Sequence, residues 1–147
     1  MTGLLTASKK LEVILRFFIA SVLLLTGIGK LLDVPGFIKV IDTYKIIPAF
    51  LQPVVAISMV LVELKISENL FRNINIKITA LAAMALHICF TLLASLKLLR
   101  GIEVKNCGCF GVFGARPLTF ITAAEYIFMV GFCVLLFKIL QKNESYN

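Results

Sequence analysis

"LEVILRFFIASVLLLTGIGKLL", Leu11 to Leu32, decides the fold. Its only charged residues are Glu12, Arg16 and Lys30, all near its ends. A helix rising 1.5 Å per residue makes this stretch roughly 33 Å long, enough to cross a hydrocarbon core of about 30 Å. Lys9 and Lys10 precede it, as basic residues precede a secretory leader. The apolar run is longer than a leader's apolar core, however, and no small-x-small cleavage site follows, so the segment is expected to be a retained transmembrane helix.

The same pattern recurs three times. A second span is expected over 49–71, starting at Pro48 or Pro53, although Glu63, Lys65 and Glu68 make its far half polar. The third is expected over 78–99, "ITALAAMALHICFTLLASLKLL". The fourth covers 118–140, "LTFITAAEYIFMVGFCVLLFKIL", with Pro117 as its start signal. Between the first two lies "DVPGFIKVIDTYKIIP", Asp33 to Pro48. Phe37, Ile38, Ile41 and Tyr44 recur there at helical spacing, which predicts a short helix in the membrane interface. The expectation is an all-α, four-helix transmembrane bundle forming a single integral membrane domain over 1–147, with a short interfacial helical loop between helices 1 and 2.

Composition agrees with this. The 147 residues are 60% hydrophobic and 16% charged, whereas soluble domains are nearer 45–50% apolar and about 25% charged. The net charge of +7 comes from short basic runs between apolar segments, which face lipid headgroups and not nucleic acid. Four spans place both termini on one side of the membrane. Eight basic residues then share that side and seven lie opposite, so loop charge barely sets the orientation. Lys9 and Lys10 before the first helix favour cytoplasmic termini.

That orientation places "KNCGCFG", Lys105 to Gly111, on the periplasmic or exterior side, between helices three and four. Disulfides persist in such compartments. A bridge between Cys107 and Cys109 closes a small, strained ring, and strain makes a bridge easier to reduce. Gly108 permits the backbone angles this needs, while Lys105 and Arg116 favour thiolate. The pattern suits a pair that cycles, with Cys109 favoured as the nucleophile. Two inert thiols, a structural bridge or half a metal site remain open as alternatives. For zinc the remaining ligands would be His87, Cys89 and Cys133, all inside helices, so no metal site is assigned. Cys89 and Cys133 differ in depth by about 7 Å. They are expected to be unpaired small hydrophobes.

Three segments resemble the DoxX/MauE family of small four-helix membrane proteins. They are "GIGKLLDVPGFIKVIDTYKIIP" (Gly27–Pro48), "VEL" (Val62–Leu64) and "GIEVKNCGCFG" (Gly101–Gly111). The last resembles the family's CGCFG signature. The resemblance implies a redox-associated protein of a bacterial inner membrane. MauE-like proteins act with a periplasmic thioredoxin-like partner in maturing a disulfide-rich amine dehydrogenase subunit. DoxX-like relatives are associated with quinone-linked sulfur oxidation or oxidative-stress complexes. The chain departs from the family at Lys65, where a small residue is usual after the second-helix Glu, and at Glu125, where the fourth helix often carries Arg.

Ionisable groups inside spans are functional candidates by default. Counted from the outer edge, Glu63 lies at roughly 22 Å, His87 at about 18 Å and Glu125 at about 10 Å. Glu63 and His87 are therefore expected to face each other, either as a polar clasp or as a proton relay or quinone-binding pair. Lys65 and Glu68 are expected to pair at the inner interface.

Two functions compete. In the first, Cys107 and Cys109 exchange disulfides with a thioredoxin-like periplasmic partner, making the protein a membrane oxidoreductase with electrons passing to a quinone in the bundle. In the second, the protein is a non-enzymatic membrane subunit or assembly factor. It docks a partner in a hetero-complex, and CGCFG is a structural turn. A transporter finds little support, because no inverted repeat is present.

Overall fold

The computed structural model describes residues 2–101 and 117–144, and side chains within 8–101 and 117–143. Five α-helices follow in order: α1 (Thr2–Leu32), α2 (Val34–Asp42), α3 (Gln52–Arg72), α4 (Ile76–Leu99) and α5 (Phe120–Glu144). A 3-10 turn, Ala49–Leu51, leads into α3. Four of the helices are long and apolar enough to cross a membrane, so this is a multi-pass helical membrane protein. Against expected spans of 11–32, 49–71, 78–99 and 118–140, the long helices cover 2–32, 52–72, 76–99 and 120–144. The larger shift is at α1, which begins upstream of the apolar run.

Local chemistry sets the boundaries. Asp33 caps α2: its carboxylate accepts the Gly36 N–H at 2.9 Å, with Pro35 in the first turn. Asp42 closes the same helix and accepts from Gln52 Nε2 at 3.0 Å, tying the end of α2 to the start of α3. Lys45, and then Gln52, hold the Asp42 carboxyl below the ordinary carboxylate value. The polar end of α3 is set by the asparagines that follow it. It stops at Arg72 because Asn73 adopts the left-handed conformation (φ 58°), and Asn75 does so too (φ 43°). Asparagine tolerates that region better than most residues, so Asn-Ile-Asn makes the tight turn into α4.

The four long helices form an antiparallel ring in which α1 packs on α3 and α5, and α4 closes it against both. One apolar cluster fills the half of the bundle near the chain termini, with Leu23 of α1, Leu70 of α3, Ala83 of α4 and Leu136 of α5 among its members. The second cluster, Phe37, Val40 and Ile41 with Ala56, joins α2 to α3 at the other end. Outward faces are also apolar: Ile14, Leu25, Leu61, Ile78, Leu92 and Phe128 are all exposed. Only 22–28% of each span's apolar window is buried within the chain, so lipid must cover the remainder.

Gly27 and the helix lengths explain where α2 sits. A Cβ at Gly27 would lie 2.9 Å from Leu64 Cδ2 and 3.5 Å from Glu63 Cβ, so α1 and α3 touch closely there. From that level α1 continues five residues to Leu32, about 7.5 Å, whereas α3 extends eleven residues back to Gln52, about 16.5 Å. The difference is filled by α2, which folds back over the end of α1.

Candidate functional site

Between the two apolar clusters lies a polar layer. Lys30 on α1 and Glu63 on α3 are 3% and 0% exposed and form a buried ion pair, Lys30 Nζ to Glu63 Oε1. Thr26 Oγ1 donates to the other carboxylate oxygen at 3.4 Å. The ammonium also stands over two aromatic rings, 4.8 Å from the Phe90 centroid and 5.3 Å from that of Phe37. Pairing and cation–π contact together replace the water that both charges have lost.

His87 belongs to the same layer. Its Nδ1 lies 2.7 Å from the carbonyl of Ala83, one turn back on α4, so Nδ1 carries the proton given to that carbonyl. Glu63, His87, Lys30, Thr26, Glu125 and Tyr126 line one small cavity of about 50 Å³. The shared level expected of Glu63 and His87 is therefore present, but Glu63's hydrogen-bond partners are Lys30 and Thr26. The Glu125 departure from the family pattern also faces this cavity.

A second, larger cavity of about 110 Å³ lies on the other side of Lys30. Its wall is apolar, with Phe37, Val40 and Ile41 of α2, Val55 and Met59 of α3, Leu93 and Ala94 of α4, and Leu118 before α5. Lys30, Phe90 and Tyr126 border both cavities. A further buried lysine, Lys97, stands 3.5 Å from the Tyr44 ring centroid and donates to Thr43 Oγ1.

The sequence pointed to Glu63 and His87 but missed Lys30. A lysine two residues from the end of an apolar run reads as a cation reaching into the interface. The missed signal was the spacing of Gly27, Lys30 and Phe37: a close-contact glycine, then a lysine one turn on, then an aromatic on a helix capped at Asp33. Lys65 and Glu68 pair as expected, at 2.8 Å, and Arg72 joins Glu68 at 2.7 Å. Cys133 is buried and Cys89 exposed, and both are free thiols. Cys89 is thus not the buried small hydrophobe that its span implied. Among the described residues no cluster of His, Cys, Asp and Glu is arranged to hold a metal. Cys107 and Cys109 lie outside the described residues.

Comparison with known proteins places these features in context. The family model described as "Methylamine utilisation protein MauE" matches residues 8–138. The curated "Methylamine utilization protein MauE" of Paracoccus denitrificans is 30% identical over 96 residues, covering 65% of this chain. That match spans about half, 52%, of the relative's length. No solved structure matches the chain.

Proposed function

The chain belongs to the MauE family, and from that premise we propose that it is a membrane thiol–disulfide exchange component, serving methylamine utilisation as its relative's name describes. The exchanging pair is Cys107 and Cys109, on a periplasmic connection in a bacterial inner membrane with cytoplasmic termini. The partner is a thioredoxin-like periplasmic protein, and the electron acceptor is a lipid-soluble quinone.

The step balances as follows. A thiolate of the reduced partner attacks the Cys109 sulfur of a Cys107–Cys109 bridge, and Cys107 leaves as thiolate. The partner's second thiolate then breaks the mixed disulfide. The partner departs oxidised, and Cys107 and Cys109 hold two electrons and two protons as thiols. Those electrons and protons reduce one quinone to quinol and restore the bridge.

One observation carries this reading: the connection bearing the pair is anchored at the end of the bundle that holds the apolar cavity. Leu118, one residue into the described chain after Pro117, lines that cavity, as does Ala94 near the end of α4. Beneath it the Lys30–Glu63 pair and His87 border the smaller cavity and supply groups able to hold a proton. Two-electron, two-proton chemistry needs such a pairing of acceptor space and proton carriers.

The test is turnover with the reduced partner in membranes. Cys107→Ser and Cys109→Ser should each abolish partner oxidation, and a reduced partner whose second cysteine is replaced should accumulate a mixed disulfide with Cys109 of the wild-type bridge, Cys107 leaving as thiolate. Wild-type rates in both variants would remove the catalytic role and leave a docking subunit with a structural CGCFG turn.

A further inference from the structure

We infer that the cavity between α2 and the bundle is a binding site for a neutral, lipid-soluble ring carrying a carbonyl oxygen, with Lys30 as its hydrogen-bond donor. The inference rests on the exchange reading only for the use made of the ligand. The site itself follows from four features of the structure.

The first is size and lining. The cavity is of the same order as the roughly 150 Å³ apolar cavity known to admit a benzene ring, and most of its wall is aliphatic or aromatic carbon. The second is the donor. An ammonium has three N–H groups, and among the described residues Lys30 Nζ donates one hydrogen bond, to Glu63. The same ammonium borders the cavity between the Phe37 and Phe90 rings.

The third feature is charge. Glu63 already neutralises Lys30, and Lys97 stands behind the Tyr44 ring and is not part of the lining, so an anionic ligand would meet no uncompensated cation in the wall itself. A carbonyl oxygen accepts a hydrogen bond without adding charge, and a planar ring packs against the two phenyl groups. The fourth is access. Ile46, 56% exposed, is part of the lining, so the cavity reaches the surface at the connection between α2 and α3.

The experiment uses the purified full chain with Cys107 and Cys109 both replaced by Ser, which separates binding from thiol chemistry. The probe is a short-chain benzoquinone bearing a photoreactive azide, with mass spectrometry locating the labelled peptide. Label is expected on Phe37–Ile47 or Phe90–Ala94. Excess unlabelled benzoquinone should compete, and the corresponding alkylbenzene without carbonyls should compete about tenfold less well.

Lys30→Met paired with Glu63→Gln keeps the site neutral and should reduce labelling about tenfold. Val55→Phe fills the cavity without touching Lys30 and should reduce it as well, which guards against a folding defect in the double variant. Label spread over the lipid-facing helices, equal competition by the alkylbenzene, or undiminished labelling in both variants would overturn the site. A chain that binds the quinone while its wild-type thiols never exchange refutes the exchange reading and leaves the site standing. Exchange without localised labelling does the reverse.

Discussion

Lys30 and Glu63 are where the fold commits itself most at the scale of single residues. Each charge is buried, so removing one partner strands the other in an apolar surround. Lys30→Met or Glu63→Leu alone should destabilise the protein by about 3–5 kcal/mol. The double replacement should recover most of that loss, because two apolar side chains of similar volume leave no orphan charge. Thermal unfolding in detergent, analysed as a double-mutant cycle, reads the coupling directly. Additive losses would mean that the two residues do not act as a pair. Glu63 was legible in the sequence as an acid within a span, yet its partner was not. Counting depth along each helix from its own end assumes that the ends are level. Here α3 overhangs α1 by about two turns, so Lys30 lies near the end of its helix and still at the level of a mid-span glutamate.

Among the elements, α2 does most to create the site. Its periodic apolar residues predicted a short helix, and a helix is there. What periodicity alone did not convey is that Phe37, Val40 and Ile41 turn toward Ala56 and roof the lysine instead of floating in the interface. That arrangement depends on the two ends of α2, one capped by Asp33 and the other tied through Asp42 to Gln52. Asp33→Ala should lower stability by about 1 kcal/mol. It should also raise hydrogen exchange in α2 ahead of α1 and α3, since α2 opens first when its cap is lost. Uniform acceleration across all five helices would show that α2 has no independent opening. Gly36 belongs to the same cap: an added Cβ would stand 2.0 Å from Asp33 Oδ2, so the "DVPG" spelling is a cap specification in full.

For the molecule as a whole, the apolar runs were the most legible feature, because a span must be about 20 apolar residues long whatever it packs against. All four were recoverable from composition, and the outward faces bear out lipid as their solvent. A charge placed on such a face tests this. Leu61 is 59% exposed at mid-α3, and Leu61→Arg should cost about 2.5–3.5 kcal/mol of insertion. The lost membrane fraction is measurable by carbonate extraction. Full retention of the variant in membranes with normal folding would show that Leu61 does not face hydrocarbon. The chemistry was less legible than the fold, since it depends on groups that meet across α1, α3, α4 and α5 and on a cysteine pair whose role no periodicity reveals.

The redox state of Cys107 and Cys109 in native membranes tests the exchange chemistry most directly. Free thiols are trapped with an alkylating reagent, the chain is digested, and the peptide carrying both residues is weighed with and without prior mild reductant. A cycling pair predicts a disulfide that mild reductant opens and that re-forms when quinone is added back, with no soluble oxidant present. A pair that stays fully reduced in every condition, or a bridge that opens only under denaturing reduction, would contradict it.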